Sequence, residues 1–103
     1  MIPVGYFKEH HNGKYAPFES TSEAIPCKAH VLQYMKRGKV IAAAPGRMRD
    51  VFTGEVIRGE MLVYSDGLYF WGTESIYYFE KYNLKLPGAF VEHAMRSMYV
   101  DKC

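Results

Sequence analysis

Cys27 and His30 stand three residues apart, close enough on a helix for both to touch one metal ion. Two ligands do not close a zinc site and no second pair repeats the spacing. The pair therefore reads as a buried small thiol beside a helix-flank histidine, and no metal is expected. A helix start lowers a thiol pKa, yet Cys27 falls on an apolar stripe, where a thiol is inert. His10-His11 could bind a metal or exchange protons, but the pair sits in a polar, turn-forming stretch. His93 falls on the outer face of the last helical pattern. Arg47 and Arg49, after Pro45-Gly46, could grip a phosphate or carboxylate with two guanidinium groups. No glycine-rich turn leads from them into a helix, so a solvated strand face paired with Asp50 and Glu60 accounts for them better. Glu55, Glu60, Asp66 and Glu74 lack the spacing of a catalytic acid–base pair, and Asp66 is explained by a turn. Neither catalytic residues nor a cofactor are expected, and the chain does not read as an enzyme.

The tyrosines differ. Tyr77, Tyr78, Phe79 and Tyr82 ring their helix too broadly for one core stripe, so some must be exposed or meet a partner. The bland alternative is a small domain that keeps its phenol hydroxyls in water. The functional reading is a protein-binding surface. Tyr69, Trp71, Tyr77 and Tyr78 would be its aromatic anchors, and Glu55, Glu60, Asp66 and Glu74 its acidic rim.

Several elements must position these residues. Met61–Trp71 is the strongest pattern: two aromatic and β-branched runs joined by Asp66-Gly67, the dipeptide suited to a type I′ turn with positive φ at both positions. Pairing Ser65 with Leu68 would set Tyr64 opposite Tyr69, Val63 opposite Phe70 and Leu62 opposite Trp71. Leu62, Tyr64, Tyr69 and Trp71 would then share one apolar face, and Met61, Val63, Leu68 and Phe70 the other. Lys39–Ala44, apolar on both faces, reads as a central strand. Arg47–Phe52 alternates and reads as another, with Glu55–Arg58 extending the sheet, and Pro3–Phe7 reads as a short first strand. A helix from Pro26 to Arg37 carries Cys27, Val31, Tyr34 and Met35 on one stripe, with a Ser20/Glu23 capping-box spacing ahead of it and Gly38 as its left-handed cap. Thr73–Tyr82, stopped by Asn83, is a second helix. A third opens at Pro87 and turns Phe90, Val91, Ala94, Met95 and Met98 inward. These elements predict an α+β fold: an antiparallel sheet of about four strands, with an N-terminal helix and two C-terminal helices packed on it.

The totals set bounds. The 103 residues, 49% hydrophobic and 23% charged, suit one globular domain over 1–103. Net charge is +2, split as +4 over residues 1–52 and −2 over residues 53–103. That imbalance is too small to mark a nucleic-acid binder. Cys27 and Cys103 make no disulfide framework, and Cys103 is expected as a free thiol. No leader or membrane-spanning run stands out, so a soluble, cytoplasmic protein with no membrane partner is expected.

One further signal runs through the whole chain. Val4-Gly-Tyr-Phe7, Val31-Leu-Gln-Tyr34 with Gly38, Val40-Ile-Ala-Ala-Ala-Pro45, Arg49-Asp-Val-Phe52-Thr-Gly54, Ser65-Asp-Gly67 with Trp71, Tyr77 to Tyr82 and Leu86-Pro87-Gly-Ala-Phe90 follow in order. Together they resemble a family of small uncharacterised bacterial proteins. Some of these look like immunity proteins of contact-dependent or Rhs-type polymorphic toxin systems. The resemblance implies a non-catalytic protein that binds and blocks a cognate toxin domain. The alternatives from the residues themselves are two. One is a homodimeric structural or regulatory module. The other is a weak nucleic-acid binder using Lys36, Arg37, Lys39, Arg47 and Arg49.

Overall fold

The computed structural model describes residues 1–7, 18–21, 27–44 and 46–97. Its elements are β1 (Ile2–Pro3), α1 (Lys28–Lys36), β2 (Lys39–Ala44), β3 (Met61–Ser65), β4 (Tyr69–Gly72), α2 (Thr73–Tyr82) and α3 (Gly88–Ser97). The architecture is α+β, with three helices and one four-stranded sheet ordered β1-β4-β3-β2. The sheet is mixed, not antiparallel throughout. β1 runs parallel to β4, with the Ile2 and Val4 N–H groups donating to the Leu68 and Phe70 carbonyls at 2.9 Å. β1 also precedes α1, so the first helix is not the N-terminal element. A strand of two residues carries no periodicity from which its direction could be read.

α1 begins at Lys28, after Cys27 at a left-handed φ of 55°, and no side chain caps it. The expected capping serine, Ser20, instead forms an isolated antiparallel bridge with Leu84. Glu23 and Pro26 lie outside the described residues, as do His10, His11 and Lys14 of the N-terminal tip, Pro45, Met98 and Cys103. Cys27 is buried as expected, but it is disulfide-bonded, which corrects its reading as a thiol. Val31 and Met35 carry α1 into the core as the stripe requires.

Gly38 is not the left-handed cap either, because that φ is not positive. Its role is clearance: a Cβ there would lie 2.7 Å from Trp71 Cζ2 and 3.0 Å from Tyr64 Cβ. The indole sits so close because its Nε1–H donates at 3.0 Å to the Met35 carbonyl, which also accepts the Gly38 N–H at 3.2 Å at the end of α1.

The β3–β4 hairpin pairs Ser65 with Phe70, Tyr64 with Trp71 and Val63 with Gly72, two positions from the expected register. Asp66 does not adopt positive φ; only Gly67 does, at 99°. Asp66 Oδ1 instead accepts the Leu68 and Tyr69 N–H groups at 2.9 and 2.8 Å, so a side-chain turn replaces the two-residue turn. A shift of two preserves strand faces, so Tyr64, Tyr69 and Trp71 still share one. Tyr69 and Trp71 meet Phe90 of α3 there, with ring centroids 5.2 and 5.3 Å apart. Trp71, Tyr78, Phe79, Phe90, Phe7, Val4, Val31, Met35 and Ile57 lie in the same core cluster.

Two further expectations change. β2 is an edge strand with all six residues exposed, not a central strand. Residues 47–58 do not extend the sheet: only an isolated Arg49–Val56 bridge forms. Asp50 explains this, because its Oδ1 accepts the Phe52 and Thr53 N–H groups at 2.7 and 3.2 Å and its carbonyl accepts Gly54 N–H at 2.8 Å. The side chain offers the backbone a local turn in place of a ladder.

Candidate interaction surface

Three of the four predicted anchors are core residues. Trp71 and Tyr78 are fully buried and Tyr69 is 7% exposed, so none can insert into a partner as placed. Tyr77 is half-buried. Periodicity missed the reason: a loop distant in sequence closes over α2 and absorbs the rings that a lone helix would expose.

That loop is fastened at Asp50. Its buried carboxylate accepts the Tyr77 and Tyr82 hydroxyls on Oδ2, each at 2.6 Å, besides the two N–H groups on Oδ1. Tyr78 Oη accepts the Val51 N–H at 3.0 Å. Lys81 stands over the Tyr77 and Tyr82 rings, donates to the Tyr77 hydroxyl at 3.1 Å and lies 3.8 Å from Asp50 Oδ2. Burial pushes the Asp50 carboxyl up, but the hydrogen bonds, led by those of Tyr77 and Tyr82, outweigh it and hold the pKa at about 2. Burial drives the Tyr78 phenol the other way, up to about 12. Four donors on one carboxylate make a clamp that fastens this loop to α2.

A second clamp forms at Asp66. Oδ2 accepts the Tyr34 hydroxyl and lies 3.1 Å from His93 Nε2, while Oδ1 holds the turn. Burial again opposes ionisation, and the Tyr34, Tyr69 and Leu68 hydrogen bonds with the nearby His93 more than offset it, lowering the pKa. His93 is therefore not a plain surface residue: it joins α3 to the hairpin turn. The Ser65 hydroxyl donates to the Tyr69 carbonyl at 2.9 Å, so it is committed to the same turn.

The predicted acidic rim divides. Glu74 is buried at the start of α2 against Gly72, where a Cβ would meet its carboxylate at 2.4 Å. Burial raises its pKa, and its own N–H offsets part of that. Asp66 is engaged as described. Only Glu55 and Glu60 are exposed. Arg49 Nη1 donates to the Gly54 carbonyl at 2.9 Å, whereas Arg47 is exposed and makes no ion pair among the described residues. No group of three or more His, Cys, Asp or Glu among the described residues could hold a metal, and no described helix is long and apolar enough to cross a membrane.

What lies exposed is aliphatic. Val40 and Ile41 are 48% and 45% exposed on β2, followed by Ala42, Ala43 and Ala44. β3 occupies one side of β2, through pairs from Lys39–Ser65 to Ala44–Met61 with an irregularity between Val40 and Ala42. The other side carries no strand among the described residues. Its backbone donors and acceptors form a template for another strand. Phe52 is also exposed, but its ring already packs on Phe18 and Tyr82 at 5.0 and 4.9 Å. The signal for this surface was present in Val40-Ile-Ala-Ala-Ala44, but a run that is apolar on both faces reads equally as a strand buried on both faces.

No protein-family model, no curated protein and no solved structure matches this chain.

Proposed function

We propose that this chain is a non-catalytic binding protein that offers the β2 edge to a partner protein. The exposure of six consecutive residues, five of them aliphatic, on an edge strand is the observation that carries the reading. Anchoring by large aromatic rings gives way to backbone pairing supported by small aliphatic side chains. The family resemblance supplies the partner class: a toxin domain whose active site is obstructed, with exposed Glu55 and Glu60 as the remaining acidic contacts. Such a role is compatible with a cytoplasmic address.

The test is site-specific photo-crosslinking in cells, with a benzophenone side chain at Ile41 and, as control, at Lys85 beside the far sheet edge. Position 41 is expected to trap one discrete protein species and position 85 none. Absence of any adduct at 41 would overturn the reading.

A further inference from the structure

The ends of β2 say what its partner carries. Arg37 and Lys39 stand at its start and Arg47 just beyond its end, all exposed and without an ion pair among the described residues. Lys36 is already paired with Glu80 at 3.2 Å. Glu60 and Asp66 flank β3 on the inner side of β2, and Asp66 is held by Tyr34 and His93. The outward edge is thus a run of aliphatic residues bracketed by uncompensated cations.

This arrangement selects against a second copy of the same edge. Antiparallel self-pairing lays the end of β2 that follows Arg37 and begins at Lys39 against the end that leads on to Arg47 in the other copy, twice over. Parallel pairing sets Lys39 beside Lys39. Like charges gathered at the strand ends are unfavourable in either case. Nucleic acid is also a poorer fit, since β2 offers no aromatic ring on which a base could stack.

Resting on the binding reading, we propose that β2 receives an extended segment of a partner protein as a fifth strand, apolar opposite Val40–Ala44 and carrying carboxylates at both ends. Main-chain hydrogen bonds along β2 supply the affinity, and the flanking cations choose the sequence.

Two nine-residue peptides of alternating Val and Thr, one with Asp and Glu at both ends and one with Lys, are titrated into the full chain while amide hydrogen exchange is followed. The acidic-ended peptide is expected to bind at least about tenfold more tightly and to slow exchange along residues 39–44. The triple variant Arg37→Glu, Lys39→Glu, Arg47→Glu changes only exposed positions and is expected to keep its melting temperature while reversing the preference. Equal binding of the two peptides, or none with β2 exchange unslowed, overturns the proposal. So does slowed β2 exchange with self-association in the absence of peptide, which would make a second copy the occupant. Tighter binding of an oligothymidine with β2 unprotected also overturns it. A protein adduct at position 41 together with no peptide preference leaves the binding reading standing and removes only this one. The converse result, a peptide preference with no adduct, overturns the binding reading, and this proposal falls with it.

Discussion

Around α2, hydroxyls and rings that a helical wheel would point at solvent are consumed within the chain. Tyr77 and Tyr82 donate to Asp50, Tyr78 accepts from Val51, and Phe52 covers the stack. Along β2 the side chains are smaller and none is aromatic, yet they stay exposed beside a backbone edge that no described strand pairs. Aromatic abundance therefore marks where this molecule closes on itself, and the aliphatic edge marks where it can open to another. A tyrosine brings its own hydrogen-bonding group into a core and can be satisfied there. An edge strand's main chain can be satisfied only by water or by another strand.

If that contrast holds, damage on the two sides must appear in different measurements. The largest loss of stability is expected from Trp71→Ala. It removes a fully buried indole and its hydrogen bond to Met35, and should cost about 4 kcal/mol in denaturant unfolding. Asp50→Ala comes next. It leaves two hydroxyls and two N–H groups without their acceptor, for an expected loss of about 3 kcal/mol. A loss below about 0.5 kcal/mol at Asp50 would mean that the loop is not clamped and that the α2 rings are available after all.

The clamp also predicts a direction with pH. A carboxyl held at about 2 in the folded chain, below its ordinary value of 3.8, stabilises the fold fully above the ordinary value. That contribution disappears as pH falls toward about 2, because the unfolded chain binds the proton first. Asp66 acts in the same sense. Thermal melts between neutral and acid pH should show this limb in the native chain and a shallower one in Asp50→Asn. Equal slopes would detach the carboxylate from the loop.

Much of the scaffold was legible from local pattern. Thr73–Tyr82 with Asn83 as its stop follows the expected helix, and Val31 and Met35 lie inward as their spacing requires. Tyr64 and Trp71 share a face despite the changed register because strand faces repeat every two residues. The failures arose where a distant residue decided the outcome. Nothing near Tyr77 in sequence announces Asp50, 27 positions away. Nor does anything in Lys39–Ala44 say whether one side of the strand or both will be occupied. The parallel pairing of β1 belongs to the same kind, since Ile2 pairs with Tyr69, 67 positions away in sequence.

Gly38→Ala probes the boundary between the two regions, because Gly38 separates α1 from β2 while its backbone touches the core. The added methyl would meet Trp71 Cζ2 at 2.7 Å, and the indole cannot retreat without breaking its bond to Met35. The expected cost is about 2 kcal/mol. His93→Ala should cost less, about 1 kcal/mol or under, since the His93 side chain is 36% exposed and its pair with Asp66 is partly screened.

The smallest effect on stability is the most discriminating. Ile41→Ser removes an exposed aliphatic side chain from the β2 edge and leaves every described core contact in place. Its unfolding free energy should stay within about 0.5 kcal/mol of the native chain. The exposed branched side chain nevertheless limits access of water to the edge backbone, and a paired strand would bury it. Capture of a partner at β2 should therefore weaken several-fold while the melting curve hardly moves. A variant that melts like the native chain and binds like it would make the edge inert. One that loses several kcal/mol would show that Ile41 is covered from within, and the contrast between the two regions would then disappear.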